Sequence, residues 1–380
     1  MSSPSPAVPL DDDAGGIPGP TTHPLASALG MGAWGLRMAP EVATGLARLL
    51  LNPARLYRRA RGQSRTARTL GDALSEVVTG PKGITAPSVA TVGRLVLDSG
   101  RYRVARGVAY GPARGQVLDV WRSPDLDPAT SSAPVLVYVP GGGWVFGSTA
   151  LQGTALLGHL AAHGWVCVSV GYRASPQHRW PTHLHDVKRA LGWVHGTIAE
   201  HGGDPEQIAI AGASAGGHLA ALAALTPGDT SLQPGFEGDR TDVTAVVGLY
   251  GRYDWESRDT LERQRFMAFL ERIVVGATQA EAAHLFAAAS PIALAGDHAP
   301  PFLVVHGRSD AVIPVHQARE FVARLREVSA APVAYAELPG TGHAFDLIDP
   351  FRAAHLARAV ELFLRTVQVD SARPPAEQTA

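Results

Sequence analysis

The sequence predicts an α/β fold in which a mostly parallel central sheet carries helices on both faces. From Val104 onward, short apolar runs of strand length alternate with segments of helix length, and this alternation is typical of parallel sheets. Several runs are apolar at every position, as expected for strands that are buried on both faces. The runs are Val117–Trp121, Val135–Val139, Trp165–Val170, Ile208–Ala211, Val243–Leu249, Phe302–Val305 and Val333–Leu338.

The composition excludes several other classes of protein. The chain has 380 residues, of which 46% are hydrophobic and 18% charged, so it can bury a large core and is not a disordered chain. Its one cysteine, Cys167, excludes an intrachain disulfide and is expected to be a packed thiol. The net charge is −1, so the global basic field of nucleic-acid-binding proteins is absent and we expect no nucleic-acid partner.

The N-terminal residues carry no recognisable export signal. Residues 1–20 contain Asp11, Asp12 and Asp13 and no basic residue, whereas a secretory signal begins with a basic region. The best candidate for a membrane span, Leu25–Leu51, is interrupted by charged residues, which argues against it. We therefore expect a cytoplasmic protein.

The chain divides into tails, a helical arm and an α/β core. Residues 1–24 are rich in Pro, Gly, Ser and Asp and are expected to form a disordered tail, as are residues 373–380. Apolar residues with helical spacing predict an N-terminal helical arm within residues 25–95. The core is then expected to consist of residues 96–254 and 290–372.

One interval breaks the alternation of strands and helices. Between Leu249 and Phe302 the sequence contains two helical patterns and no run of strand type. We therefore predict that residues 255–289 form an insertion over one end of the sheet.

The arm is unusually basic. Seven arginines lie from Arg48 to Arg68, and no acidic residue occurs from Val42 to Thr69. A helix of this kind could contact an anionic membrane surface. We favour an arm that packs on its own protein and leaves its arginines in solvent, and the sequence predicts no oligomeric state.

The first candidate catalytic motif is GASAG at Gly212–Gly216. It follows the run Ile208–Ala211 and precedes an Ala-rich helix. A nucleophilic serine on a sharp turn between strand and helix needs such small neighbours, because larger side chains would collide. The N terminus of the following helix also favours negative charge. We therefore predict that Ser214 is a nucleophile, the alternative being a chance turn of small residues.

A second motif, PGGGW at Pro140–Trp144, directly follows the run Val135–Val139. Its glycines allow backbone N–H groups to point at a reacting oxygen without interference from a Cβ atom. With the N–H of Ala215, the residue after the serine, such a loop can form an oxyanion hole. A phosphate-binding loop is the alternative, but it would require a lysine that this segment lacks.

A candidate acid and a candidate base follow two later strands. Asp310, in the motif HGRSD, comes just after Phe302–Val305 and is expected at the carboxyl edge of the sheet, where ligands bind. His343 follows the last strand, and the order Ser214, Asp310, His343 is the one expected for a serine on this kind of turn. Asp346 is the competing candidate for the acid that orients His343.

Five segments make the resemblance to a known family specific: PGGGWVFGS, GYRASPQHRWP, GASAGG, HGRSDAVIP and GHAFD. Through them, approximately residues 100–370 resemble the hormone-sensitive lipase-like carboxylesterases of the α/β-hydrolase fold, and the chain is similar to actinobacterial members with a long N-terminal arm. The resemblance implies a helical cap formed by the arm and residues 255–289. It also implies a catalytic triad and an oxyanion hole, whose matching residues are Ser214, Asp310 and His343, and Gly142, Gly143 and Ala215.

Two positions depart from the family pattern. The glycine loop of the family usually begins with His, whereas this chain has Pro140, which lacks an N–H and has a fixed φ. The residue before the serine is often acidic in the family and is Ala213 here. Neither change removes a triad residue, and we expect the oxyanion hole to be retained.

The sequence thus predicts a serine carboxylesterase that acts through an acyl-enzyme. Its expected substrates are small molecules, namely short- to medium-chain carboxylic esters. No metal or organic cofactor is expected, and His183 and His185, which lack further ligands at metal-site spacing, are expected to be structural. An apolar pocket is expected for the acyl group. The candidate pocket residues are Trp144, Trp255, Phe266, Met267, Phe269 and Leu270.

Three alternative functions remain open at this point. An amidase or arylformamidase would use the same triad on the same fold. A membrane-associated lipase would use the arginine-rich arm. A non-catalytic ligand receptor is disfavoured, because such a protein is expected to have lost a triad residue and all three candidates are present.

Overall fold

Eight strands form one sheet at the centre of the computed structural model, which describes residues 53–77, 84, 87–88, 91–93, 99–149 and 152–371. In chain order the strands are β1 Arg103–Ala109, β2 Val117–Trp121, β3 Ala133–Val139, β4 Val166–Val170, β5 Gly203–Ala213, β6 Ala245–Leu249, β7 Phe302–Gly307 and β8 Val333–Leu338. Their order in the sheet is β1-β2-β4-β3-β5-β6-β7-β8. β2 pairs antiparallel with β1 and with β4, and every other neighbouring pair is parallel.

Ten helices accompany the sheet in the part of the chain that is described. They are α1 Pro53–Leu74, α2 Thr154–Ala162, α3 Thr182–Thr197, α4 Ala215–Leu225, α5 Leu261–Phe269, α6 Ala283–Ala288, α7 Pro291–Leu294, α8 His316–Val328, α9 Phe345–Ile348 and α10 Pro350–Ser371. A π-helical turn, Leu270–Val275, continues α5, and short 3-10 turns lie at Ser99–Tyr102, Ile198–His201 and Thr230–Leu232.

Helices cover both faces of the sheet, because side chains of successive strand residues point to opposite faces. In β3, Val135 and Val137 pack into a cluster with α3, α4 and α8, whereas Leu136 and Tyr138 pack into a second cluster with α1, α2 and α10. All four of these side chains are fully buried. The predicted mostly parallel sheet with helices on both faces is therefore confirmed, and double burial explains why several of the strand runs are apolar at every position.

The segment between β6 and β7 contains α5, the π-helical turn, α6 and α7, and no strand. This agrees with the absence of a strand pattern in the sequence. Trp255, Met267 and Phe286 join the cluster of α4, so the segment packs on that side of the sheet. The division of the chain into a core and an insertion at residues 255–289 stays a prediction.

The described part of the predicted arm packs on the other face of the sheet. Leu70 and Leu74 of α1 are buried in the cluster of α10, on the opposite face from Trp255. Residues 1–52 and 372–380 lie outside the described residues, and with them both predicted tails and residues 25–52 of the arm. The arm's contribution to a cap therefore stays a prediction. No described helix is both long enough and apolar enough to span a bilayer.

We expect Leu70→Ala to lower the free energy of unfolding by about 2–5 kcal/mol, because it leaves a cavity between α1 and α10. The measurement is urea denaturation followed by circular dichroism. Arg65 on the same helix is exposed, so Arg65→Ala is the matched control and should change this free energy by no more than about 0.5 kcal/mol. Equal, small effects of both substitutions would contradict the packing of α1 on the body.

Candidate active site

Ser214 occupies a sharp turn between β5 and α4. Its φ of 55° and ψ of −119° lie in a region that side-chain-bearing residues rarely adopt. The neighbouring glycines make this turn possible, because a Cβ on Gly216 would lie 2.0 Å from the carbonyl oxygen of Val139, and one on Gly212 would lie 2.1 Å from that of Gly216. The N–H of Ser214 donates to the carbonyl of Leu249 at 2.8 Å. The strand–turn–helix setting predicted for GASAG is thus present.

The helix behind Ser214 is enclosed by the protein. Every residue of α4, from Ala215 to Leu225, is buried, as expected for a helix that is apolar on all sides. Because α4 is held on every side, Ser214 at its N terminus has a fixed position relative to the sheet. A rigid support of this kind is what a catalytic side chain requires.

The structure brings Ser214, Asp310 and His343 together, although they follow three different strands. Nε2 of His343 lies 3.0 Å from Oγ of Ser214, and Nδ1 of His343 lies 2.7 Å from Oδ2 of Asp310. The side chain of His343 is 6% exposed and that of Asp310 is fully buried. In this arrangement the Nδ1–H donates to the carboxylate, which leaves Nε2 free to accept the serine proton.

Asp310 is held as a carboxylate by two backbone N–H groups and by the neighbouring imidazoles. Its Oδ1 accepts the backbone N–H groups of Val312 and Ile313, at 2.8 and 2.9 Å. Burial by itself would raise the pKa of Asp310. Hydrogen bonds from the imidazoles of His306 and His343, together with the backbone donors, outweigh burial and hold this pKa well below its ordinary value. Asp310 therefore stays ionised beside His343.

His306 is a site residue that the sequence analysis did not assign. Its Nε2 lies 2.8 Å from the carbonyl oxygen of Ile313 and 3.4 Å from Oδ2 of Asp310. Through these two contacts His306 stabilises the loop that carries Asp310. The sequence signal for this role was its position four residues before Asp310 in HGRSD. Because the chain has 15 histidines, the position of one of them carries little weight.

Asp346, the competing acid, has a different partner. The hydroxyl of Tyr250 donates to Oδ1 of Asp346, and no hydrogen bond joins Asp346 to His343 among the described residues. Burial raises the pKa of Asp346 above its ordinary value. The Tyr250 ring packs edge-to-face on the imidazole of His343 with a centroid distance of 4.7 Å, so Tyr250 contacts both Asp346 and His343.

The glycine loop presents unused N–H groups. Gly142 and Gly143 have φ values of 135° and 60°, which side-chain-bearing residues rarely adopt. Within the described part of the chain, the N–H groups of Gly142, Gly143 and Ala215 donate to no other group of the protein. Backbone donors left unpaired in this way are available to a ligand oxygen.

The residues around the loop explain how Pro140 is accommodated. Its carbonyl accepts a hydrogen bond from the hydroxyl of Tyr172 at 3.0 Å. The side-chain oxygen of Gln152 accepts the N–H of Gly141 at 2.7 Å. These two side chains anchor the start of the loop, which needs no N–H at residue 140.

The predicted pocket residues differ in exposure. Trp144, Trp255, Met267 and Leu270 are buried, whereas Phe266 and Phe269 are half-buried. That all six of them line an acyl pocket stays a prediction. A further aromatic side chain, Phe146, is 57% exposed and lies two residues after Trp144 in the motif PGGGWVFGS. The sequence analysis did not single it out, because the motif does not distinguish an exposed aromatic residue from a buried one.

Other residues singled out in the sequence have structural contacts. Oγ of Ser175 lies 3.0 Å from Nε2 of His183, and burial lowers the pKa of His183 to about 4, so the imidazole is neutral. Burial also lowers the pKa of His185. Cys167 is fully buried, and burial raises the pKa of its thiol, as expected for a packed thiol.

One group of possible metal ligands lies away from this site. Nitrogen and oxygen atoms of His159, His163 and Glu361, on α2 and α10, lie within 4.8 Å of one another. The Glu361 carboxylate already accepts hydrogen bonds from His159, Arg358 and Arg365, at 2.7 to 3.0 Å. Two guanidinium groups on one carboxylate oppose the binding of a cation there, and the group forms an ion-pair network.

Comparisons with known proteins show the family of the chain. The family model BD-FAE matches residues 118–325. The chain is 48% identical to the esterase LipC of Mycobacterium tuberculosis over 356 residues, which are 92% of this chain and 88% of LipC. It is 51% identical to the probable carboxylic ester hydrolase LipM of the same organism over 261 residues, 68% of this chain and 60% of LipM.

A solved structure extends the comparison to the fold. The propionate-bound esterase Est2 of Thermogutta terrifontis superposes with a TM-score of 0.54 and 25% identity, over 69% of this chain and 90% of Est2. The α/β-hydrolase fold that the sequence predicts is therefore confirmed.

Substitution of Asp310 and of Asp346 tests which of the two orients His343. We expect Asp310→Asn to lower kcat for a p-nitrophenyl ester by about 10³-fold or more, because the amide no longer fixes the tautomer of His343. Asp346→Asn, the matched control, keeps a hydrogen-bond acceptor for Tyr250 and should change kcat by less than about 10-fold. The reverse ranking would assign the acid to Asp346.

Proposed function

The chain belongs to the BD-FAE family of α/β-hydrolases and is a carboxylic ester hydrolase, and we propose that Ser214, His343 and Asp310 are its catalytic triad. One observation carries the proposal. The imidazole of His343 lies within hydrogen-bond distance of both the serine oxygen, at 3.0 Å, and the buried carboxylate, at 2.7 Å. Nucleophile, base and orienting acid thus stand in the relation that acyl transfer requires.

In the acylation step, Oγ of Ser214 attacks the acyl carbonyl carbon while Nε2 of His343 takes the serine proton. Asp310 stabilises the imidazolium that forms, since its carboxylate stays ionised. When the tetrahedral intermediate collapses, the bond to the alcohol oxygen breaks and His343 gives its proton to that oxygen. Water then attacks the acyl-enzyme by the same route, which releases the acid and restores Ser214.

The developing negative charge needs donors that are already in position. We propose the N–H groups of Gly142, Gly143 and Ala215, and the absence of other acceptors for them among the described residues supports this assignment. Donors fixed in advance need no reorganisation when the charge appears. For this reason, the loss of one such donor typically lowers kcat by about 10²–10³-fold.

We propose short- to medium-chain acyl esters as the substrates. Three partly exposed aromatic side chains, Phe146, Phe266 and Phe269, offer an apolar surface to an acyl chain. The buried residues Trp255 and Met267 would support that surface from behind. Est2, a similar protein, is described with a bound propionate, which is the acid of a three-carbon acyl group.

We expect Ser214→Ala to lower kcat for p-nitrophenyl butyrate by about 10⁴-fold or more, because the nucleophile is lost. Unchanged circular dichroism and thermal melting should show that the variant folds. Ser231 is exposed, and Ser231→Ala serves as the control, with normal turnover. Near-normal turnover of Ser214→Ala would overturn the proposed triad.

A series of p-nitrophenyl esters tests the substrate class. Because a buried methylene contributes about 0.8 kcal/mol, kcat/KM should rise by up to about fourfold per carbon and then fall at or before about eight carbons, when the pocket is full. An anilide of the best acyl group should react far more slowly than its ester. A rise that continues into long-chain emulsions would favour the lipase alternative, and a faster anilide would favour the amidase.

A further inference from the structure

Trp144 has a backbone conformation that is unusual for a bulky residue. It directly follows the glycines of the proposed oxyanion hole and has a φ of 59°. Non-glycine residues rarely adopt this region, and they persist in it only where their surroundings hold them there. The contacts of Trp144 therefore control the geometry of the loop that precedes it.

Both the side chain and the backbone of Trp144 are held. The indole N–H donates to Nδ1 of His218 at 3.2 Å. The carbonyl of Trp144 accepts the N–H of Ser175 at 2.8 Å. Only 2% of Trp144 is exposed, so no solvent competes for the indole hydrogen bond.

His218 joins this loop to the proposed nucleophile. It lies on α4, one helical turn after Ser214, and its backbone N–H donates to the carbonyl of Ser214 at 3.1 Å. One residue is thus bonded through its backbone to Ser214 and through its side chain to Trp144. A shift of either partner is transmitted to the other.

The same imidazole also contacts both ends of the segment 255–289. The ring of Trp255 stacks on that of His218 with a centroid distance of 4.6 Å and an interplanar angle of 9°. The carbonyl oxygen of Ala289 lies 2.7 Å from Nε2 of His218. Trp255 also meets the indole of Trp144 edge-on at 4.8 Å.

These contacts define the state of the imidazole. The Trp144 bond requires a lone pair on Nδ1, which excludes the imidazolium, and the Ala289 carbonyl requires a proton on Nε2, so together the two bonds select the neutral ring protonated on Nε2. Burial lowers the pKa of His218 to about 3, which agrees with a neutral ring throughout the working pH range. His218 therefore serves as a fixed connector and takes no part in proton transfer.

We propose that His218 is a positioning residue, which holds the oxyanion loop in register with Ser214 by fixing the indole of Trp144. This inference rests on the proposed function, because it concerns the N–H groups of Gly142 and Gly143. Those groups must meet an oxygen that becomes charged only in the transition state. Release of Trp144 would displace them and weaken transition-state binding more than substrate binding.

The first test removes the link from either side. Trp144→Phe keeps an aromatic ring but loses the N–H, and His218→Leu loses the acceptor. Both variants should lower kcat for p-nitrophenyl butyrate by about 10- to 100-fold and leave KM within about twofold, because displaced donors mainly cost transition-state stabilisation. His218→Asn, whose Oδ1 can replace Nδ1 as the acceptor, should recover most of the lost kcat.

Two further variants test whether the effect comes from the position of the oxyanion loop or from general packing. The double variant Trp144→Phe/His218→Leu should be no slower than the worse single variant, since both remove one link. Trp165 is buried, and its indole N–H has no hydrogen-bond partner among the described residues. Trp165→Phe is therefore the matched control and should keep normal kcat.

The affinity for two ketone inhibitors gives a second measurement, which can be made even if a variant is less stable. A trifluoromethyl ketone forms a tetrahedral adduct with an oxyanion, whereas the corresponding methyl ketone resembles the substrate. Affinity for the trifluoromethyl ketone should fall in parallel with kcat, and affinity for the methyl ketone should not change.

Normal kcat in folded Trp144→Phe, or a rise in KM with kcat intact, would overturn the positioning role. Equal weakening of both ketones would also overturn it. The proposed function has a separate criterion, which is the loss of turnover in Ser214→Ala. A slow Ser214→Ala variant beside a normal Trp144→Phe variant would therefore reject only the role of His218.

Discussion

The enclosure of α4 governs the arrangement of the whole site. A helix with no polar face must be covered on every side, and here the sheet, α3 and the segment after β6 provide that cover. Its N terminus is thereby fixed at the carboxyl edge of the sheet. The sharp turn that carries Ser214 is compatible with this position because Gly212 and Gly216 leave room for the neighbouring backbone.

Two histidines at this helix, His218 within α4 and His343 beside Ser214 at its N terminus, have opposite electrostatic requirements. In the proposed mechanism His343 takes up a proton, and the adjacent carboxylate of Asp310 offsets the cost of a buried imidazolium. Among the described residues no carboxylate pairs with His218, and Arg252 nearby further disfavours its protonated form. One imidazole is therefore suited to proton transfer and the other to a permanent pair of hydrogen bonds.

The segment after β6 shows why a list of apolar residues does not define a pocket. Arg263, Met267 and Leu270 recur at helical spacing and are buried against the body, whereas Phe266 and Phe269 lie beside that stripe and are half-buried. The amino-acid types are similar on both sides of α5. The rotation of the helix about its axis decides which of these residues support the structure and which can meet a substrate. Packing against α4 and α8 fixes that rotation.

Local pattern was sufficient for β2 to β8 and for the turn at GASAG, because each depends on residues close together in the chain. It did not predict β1, Arg103–Ala109, which has no buried residue and therefore no continuous apolar run. The order of the motifs also selected the proposed triad. The choice between Asp310 and Asp346, by contrast, needed the tertiary structure, which places Oδ2 of Asp310 2.7 Å from Nδ1 of His343 and pairs Asp346 with the hydroxyl of Tyr250. The bond from Trp144 to His218 joins residues 74 positions apart, and no periodicity in the sequence records such a pair. Contacts of this kind arise when the sheet and α4 pack together, since that packing alone sets which distant side chains meet.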